Sequence, residues 1–388
     1  MRKHISPAYR ASDAGDIYLS GRKEMQMRFI HTGDIHLGAA PDSLMPWSQE
    51  RRIEIRDRFY KLLEEVAGDK TDLLLIAGDL FHRQPLKKEL REVNYRFSKM
   101  PGTQIVLIAG NHDYIGEKSF YQDFEWAPNV SFFRKNHLSY IYLKKLNTII
   151  YGMSYDREQI QSPLYDSLHL MRRFADGSPV PKETIHILLA HGGDSLHIPI
   201  DKNALRRAGF DYVALGHLHK PWMDEESPMA YCGALEPIDR NDEGEHGYIR
   251  GICENGETHL EFVPFARRSY VTLQILVRPD MTMQAIADEV KSRIDLRGRD
   301  HMYKIVLEGI RDPETEIETD LLEKAGRVLS VQDDTSVDFD FDALYEENRD
   351  NVIGMYIERI RQSGESESVK QQALLFGMKA LQSLYRGE

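Results

Sequence analysis

The chain has 388 residues, a formal net charge of −12 and two cysteines, Cys232 and Cys253. That length suits two domains or a domain with appendages, and two thiols make neither a disulfide framework nor a thiolate metal cage, so a reducing, cytoplasmic setting is expected. No apolar run approaches the roughly 18 residues of a membrane span, and the acidic total does not exclude nucleic acid, because residues 311–350 hold fourteen Asp/Glu against four Lys/Arg and leave −2 for the rest.

Residues 1–26 read as a disordered leader: the first 24 are polar and unpatterned, with no apolar core of a secretory signal. Apolar, β-prone runs then recur at 27–31, 73–77, 105–109, 185–190 and 212–215 and read as buried strands. Segments 46–66 and 85–100 read as helices. Ile55, Phe59, Leu62, Leu63 and Val66 share one face of the first, and Leu86, Leu90, Val93 and Phe97 form a stripe on the second, with Pro85 suited to its first turn. Short strands follow at 130–133, 140–143 and 148–154, a helical stretch at 163–174, and more strands at 229–233, 247–253 and 258–265. This order predicts an α/β sandwich, two sheets face to face with helices outside, over residues 27–266. Segments 269–277, 281–294, 302–307, 319–325 and 327–331 read β-α-β-α-β, a small α/β accessory domain over 267–341. Residues 342–388 carry two helices, at 343–361 and 368–385. Val352, Ile353, Tyr356, Ile357 and Ile360 form a stripe on one; the last helix is apolar around more of its circumference than a single core face needs. Contact with a partner or a second copy competes there with packing on the chain's own domain.

Five of the strands run into residues that ligate metals. These are Asp34-Ile35-His36, Gly78-Asp79, Gly110-Asn111-His112-Asp113, His191-Gly192 and Gly216-His217-Leu218-His219. Open α/β sheets build their sites from loops at the carboxyl ends of strands. Seven ligands, Asp34, His36, Asp79, Asn111, His191, His217 and His219, are therefore expected at one rim. Asp79 suits a carboxylate shared by two cations about 3.5–4 Å apart, the arrangement that hydrolyses phosphoesters. Oxygen and imidazole donors without thiolate favour Mn, Fe or Zn. His112, beside a ligand yet free to face substrate, is read as the group that stabilises the transition state or protonates the leaving oxygen, with Asp113 holding its imidazole in one tautomer. A lone histidine is more often structural than a ligand; the ordered set carries the assignment. His186, His197 and His246 are read as structural or surface residues; a place at the site's border for the acidic loop 239–245 before His246 is weighed and the structural reading preferred. Arg51, Arg52, Arg56 and Arg58 are read as a solvated helix face paired with Glu50, Glu54 and Asp57 rather than as phosphate contacts.

The ordered set D-x-H, GD, GNHD, HG and GHLH resembles the calcineurin-like metallophosphoesterase superfamily, from residue 27 to about residue 265. Within it, Gly78-Asp79-Leu80-Phe81-His82, Gly110-Asn111-His112-Asp113 and Ala214-Leu215-Gly216-His217-Leu218-His219-Lys220-Pro221 are similar to SbcD-type, YhaO-like DNA repair nucleases. The resemblance implies a two-sheet sandwich of the metallophosphoesterase type. It implies one ion on Asp34, His36, Asp79 and His219 and another on Asp79, Asn111, His191 and His217, with manganese preferred and Fe, Zn or Mg as alternatives. It makes His112 catalytic and sets His82 beside the DNA backbone; a surface-loop histidine is the plainer reading of the latter. It further implies cleavage of DNA from a 3′ end or within single strands, by a homodimer joined to an SbcC-like coiled-coil ATPase, away from membranes. The leader and the segment after residue 265 depart from the resemblance. Two rival functions remain: a phosphatase or diesterase acting on a small or nucleotide substrate, and a non-catalytic DNA-end-binding scaffold.

Overall fold

The computed structural model of the protein describes residues 26–386. The expected leader lies outside them except for Gln26, which already pairs with Glu254. In chain order the elements begin β1 (Gln26–Thr32), α1 (Ser48–Gly68), β2 (Leu73–Ala77), α2 (Lys87–Ser98), β3 (Gln104–Ile108), β4 (Val130–Phe132), β5 (Ser139–Leu143) and β6 (Thr148–Gly152). They continue with β7 (Ile185–His191), α3 (Lys202–Ala208), β8 (Tyr212–Gly216), β9 (Trp222–Met223), β10 (Met229–Tyr231), β11 (Gly247–Glu254) and β12 (Glu257–Pro264). Last come β13 (Tyr270–Val277), α4 (Met283–Arg297), β14 (Met302–Arg311), α5 (Thr319–Glu323), β15 (Val328–Asp333), β16 (Ser336–Val337), α6 (Phe341–Glu347), α7 (Val352–Arg361) and α8 (Glu367–Arg386).

One six-stranded sheet has the order β12-β11-β1-β2-β3-β4, and a second the order β5-β6-β7-β8-β10-β9. Strands β1 to β4 run parallel, as do β6, β7, β8 and β10. The sheets meet through Phe29, Leu75, Val106 and Ile108 on one side and Ile150, Ile187, Leu189 and Ala214 on the other. Successive side chains of a strand face opposite ways. Ile30, Leu74, Ile76, Ile105 and Leu107 therefore point outward, onto Phe59, Leu62 and Val66 of α1 and Leu90, Val93 and Phe97 of α2. With both faces covered, these strands carry unbroken apolar runs, and the architecture is the expected two-sheet α/β sandwich. A third sheet pairs β13, β14 and β15 in parallel, with β16 against the far end of β14. Helix α4 lays Ile286, Val290 and Ile294 on it. Among the described residues no helix is long and apolar enough to cross a membrane.

Three local expectations change. Residues 163–174 form turns, not a helix. Tyr165 and Leu168 still bury against the second sheet, but the Met171 amide donates to the Tyr151 hydroxyl instead of to a helical carbonyl. Helix α3 went unread, although Asp201 accepts the Asn203 amide at its start and Gly209 ends it at φ 78°. The helix expected over 343–361 divides into α6 and α7, because the Asn351 side chain accepts the amides of Ile353 and Gly354 and starts a new helix.

Arg51 is not on a solvated face. Its side chain is fully buried and donates to Glu54 at 2.7 Å, to Glu236 at 3.0 Å and to the Pro237 carbonyl at 3.0 Å. Arg268, just before the third sheet, also donates to Glu54, through Nε at 2.6 Å, and to Glu50 at 2.9 Å. A buried ionic group left without its partner is far costlier than the pair. Arg268→Ala should therefore lower unfolding free energy by about 3 kcal/mol in a urea titration. Burial alone would push the Glu54 carboxyl up, but the two guanidinium groups outweigh it and hold it at about 2. A carboxyl so depressed contributes stability that is full above its ordinary value of 4.5 and is lost as pH falls toward 2. The wild type should lose stability more steeply than Glu54→Gln across that window; parallel curves would exclude Glu54 as the source.

Candidate metal centre

Strands β1, β2 and β3 end side by side, and β7 and β8 end together in the facing sheet. The turns that follow are unusual. Asp34, His36, Asp79 and His217 have φ of 47°, 50°, 49° and 98°, the left-handed region that side chains disfavour. Such residues cost on the order of 1–3 kcal/mol each and cluster at functional sites. Glycines make room for them. A Cβ on Gly110 would lie 2.2 Å from Asp79 Oδ1, and one on Gly78, itself at φ 90°, would lie 2.4 Å from His191 Nδ1.

All seven expected ligands converge. His36 Nε2 and His219 Nε2 stand 3.2 Å apart, close to the spacing of neighbouring ligands around one cation. Asp34 lies with these two within 4.8 Å. On the other side, His191 Nε2 and His217 Nδ1 lie 2.8 and 3.1 Å from Asn111 Oδ1. Asp79 stands between the two groups. Its Oδ2 is 3.7 Å from His36 Nε2 and 3.5 Å from His191 Nε2. Asp34 also lies within reach of Asp79 and His191, so it borders both groups rather than one.

Hydrogen bonds fix which nitrogen each imidazole presents. His191 Nδ1–H donates to the Ala77 carbonyl at 2.8 Å, which turns Nε2 inward, toward Asn111 and Asp79. His217 Nε2–H donates to Asp194 at 2.8 Å and frees Nδ1; His219 Nδ1–H donates to Asp242 at 3.1 Å and frees Nε2. Partners of this kind orient metal ligands and raise their basicity. Burial pushes the Asp34 carboxyl up. Burial works against a charge on His191, yet the carboxylates of Asp79 and Asp34 outweigh it and raise that imidazole above its ordinary value. The pocket thus favours positive charge between buried carboxylates. With imidazole nitrogens and acid and amide oxygens turned inward, the residues fit two divalent cations.

The His112 amide donates to Asp79 Oδ1 at 2.9 Å, tying this loop to the shared carboxylate. The His112 side chain is exposed and donates from Nδ1 to the His82 carbonyl at 3.2 Å, with Nε2 outside that bond. Asp113 does not hold His112. It is fully buried and accepts from the amides of Gly110 and Phe81 and from the Tyr121 hydroxyl, so it joins the loops after β2 and β3 to each other. Burial and the nearby Asp79 charge raise its carboxyl. His82 Nδ1 lies 3.3 Å from His36 Nδ1, and its ring stacks on His112 at 5.2 Å.

Asp194 and Asp242 were not singled out from sequence. Asp194 sits three residues after His191 and also accepts from His197 Nδ1 at 2.9 Å, so His197 belongs to the site's edge. Asp242 lies in the acidic loop before His246. His246 is the buried structural residue expected, facing the carbonyls of Ala234 and Asp242.

The Bacillus subtilis protein named uncharacterized metallophosphoesterase YhaO is 25% identical over 309 residues, 73% of this chain and 72% of its own. The DNA double-strand break repair protein Mre11 of Methanopyrus kandleri is 28% identical over 231 residues, 55% of this chain and 49% of that protein. Its namesake from Methanocaldococcus jannaschii is 28% identical over 270 residues, 64% and 69% of the two chains. Residues 27–221, just over half of the chain and the span that holds all seven converging side chains, match the family described as calcineurin-like phosphoesterase. With that match laid over a rim of paired carboxylates and imidazoles, the chain belongs to the calcineurin-like phosphoesterases, hydrolases built around a pair of divalent ions.

Proposed function

We propose that the chain is a DNA phosphodiesterase that removes nucleotides from 3′ ends or cuts single strands, in a homodimer joined to an SbcC-like coiled-coil ATPase, with manganese as its preferred pair of ions. The observation that carries the hydrolase reading is the Asp79 carboxylate, 3.7 and 3.5 Å from imidazoles of the two ligand groups. The choice of DNA draws on the relatives named Mre11. The partner reading draws on the exposed Val352 and Met355 of α7 and Val369 and Phe376 of α8.

When bound, two divalent ions polarise the scissile phosphate from both sides of an in-line displacement and acidify the attacking water. The chain's residues do the rest. Asp79 keeps the two ligand groups in register. Ala77, Asp194 and Asp242 hold imidazole protons on the outer nitrogens. His112, fixed through its amide and Nδ1, acts in its doubly protonated form, whose Nε2–H donates to a phosphate oxygen or passes its proton to the departing 3′ or 5′ oxygen and leaves the neutral ring.

The test uses the purified full chain with manganese, end-labelled duplex and single-stranded DNA, and a small chromogenic diester. DNA cleavage abolished by a chelator supports the proposal. Diester hydrolysis with no DNA cleavage, with or without the ATPase, would favour the small-substrate enzyme; DNA binding without hydrolysis of either would favour the scaffold. His82→Ala refines the assignment. Its ring braces His36, so both substrates should lose about 10-fold, the lower end for a partner of a metal ligand. DNA should lose more than the small diester, which has no flanking backbone to contact. Equal losses would confine His82 to bracing.

A further inference from the structure

The two histidines after β8 are held by carboxylates from two different loops, and one of those loops reaches beyond the site. Asp242 faces His219 Nδ1 with Oδ1 at 3.2 Å and Oδ2 at 3.1 Å. The same carboxylate accepts the amides of Ile238 at 3.0 Å and Asp239 at 2.9 Å, so its own loop fixes it. The next residue, Glu243, turns away from the site. Its carboxylate accepts from the Thr272 hydroxyl at 2.6 Å and from Lys304 Nζ at 3.3 Å, and its backbone bridges to Tyr270. Thr272 lies on β13 and Lys304 on β14. Consecutive residues therefore grip a ligand of the sandwich and two strands of the third sheet.

We infer that Asp242 is a positioning residue for the ion held by His36 and His219, and that the third sheet sets its placement through Glu243. The inference rests on the two-ion reading of the site but not on the choice of DNA as substrate. The chemistry turns on one proton. A carboxylate at Nδ1 only accepts, so it keeps the imidazole proton there and leaves Nε2 free to bind a cation. An asparagine in its place can still accept the Ile238 and Asp239 amides through its carbonyl oxygen. Its amide group then faces His219 and donates to Nδ1. That moves the imidazole proton to Nε2, the atom the cation needs. The coupling follows from the covalent chain: adjacent Cα atoms are about 3.8 Å apart, so a shift of Glu243 with the third sheet carries Asp242 with it.

The experiment measures manganese binding to the full-length chain by calorimetry and metal content, with ¹⁵N spectra of the imidazoles in the ion-free protein. Asp242→Asn should weaken one of the two ions by about 10–100-fold, the usual loss for a partner of a metal ligand, and leave the other near wild type. Its spectrum should show the His219 proton on Nε2. Thr272→Val/Lys304→Met removes both side-chain grips on Glu243, leaves its backbone bridge to Tyr270 and does not touch the site. It should weaken the same ion by about 10-fold with its circular dichroism unchanged. Wild-type affinities and an unchanged imidazole spectrum in Asp242→Asn would overturn the positioning role. Wild-type affinity in the double variant would overturn the link to the third sheet through the Glu243 carboxylate. A wild type that binds two ions but cleaves no DNA would refute the nuclease proposal and leave these affinities, and the inference, intact.

Discussion

Asp79→Asn should give a folded protein that holds neither ion tightly and hydrolyses phosphodiesters at least about 10³-fold more slowly, since the charge stabilisation lost at the displacement is several kcal/mol. The variant keeps the Asp79 shape, and its carbonyl oxygen can still accept the His112 amide that Oδ1 now takes at 2.9 Å. What disappears is the negative charge shared by the group around His36 and the group around His191. Removing an outer ligand would unload one ion; removing the shared one unloads both. Elemental analysis after gel filtration reads the result. Two ions retained in an active variant would show that Asp79 is not the bridge.

His112→Ala acts differently. Its side chain is exposed and touches the His82 carbonyl, while its backbone amide, which the substitution retains, holds Asp79. Both ions should stay bound and DNA binding should persist, yet cleavage should fall by about 10²–10⁴-fold, the usual worth of a positioned acid or base. The loss should appear in kcat rather than KM. A leaving group of low basicity needs little protonation, so a chromogenic diester should lose less than DNA. Loss of an ion in this variant would move His112 into the metal shell and refute its role as a free acid.

The buried strands that lead to the site and the seven side chains that converge there were legible in the sequence because buried parallel strands are continuous apolar runs and their carboxyl ends carry the chemistry. Three kinds of feature were not. Asp113 follows His112 directly, and adjacency suggested a dyad, but burial turns its carboxylate onto the amides of Gly110 and Phe81. Arg51 reads in the sequence like the other arginines of α1, and only the fold shows that it is fully buried between Glu54 and Glu236, the latter 185 residues away. Asp194 and Asp242 lie in loops without periodicity, and only the fold shows which loop acids reach an imidazole. The turns at 163–174 imitate a helix because Tyr165, Leu168 and Met171 recur at a spacing of three, a pattern that a folded-over loop with a buried face also satisfies.

The position of β1 in its sheet bears on how the protein is made. β1 is the first strand among the described residues and emerges well before β11, yet β11 is one of its two neighbours, paired from Gln26–Glu254 to His31–Ile249. Until residue 254 has emerged, the strand that leads into Asp34 and His36 has an open edge. A fragment ending at residue 221, where the family match stops, would hold every candidate ligand and still lack β11 and β12. Such a fragment would present a row of unpaired amides and carbonyls along an apolar strand, a template for edge-to-edge aggregation. Recombinant work on the hydrolase therefore needs the chain to run at least through Pro264, well past its last candidate ligand.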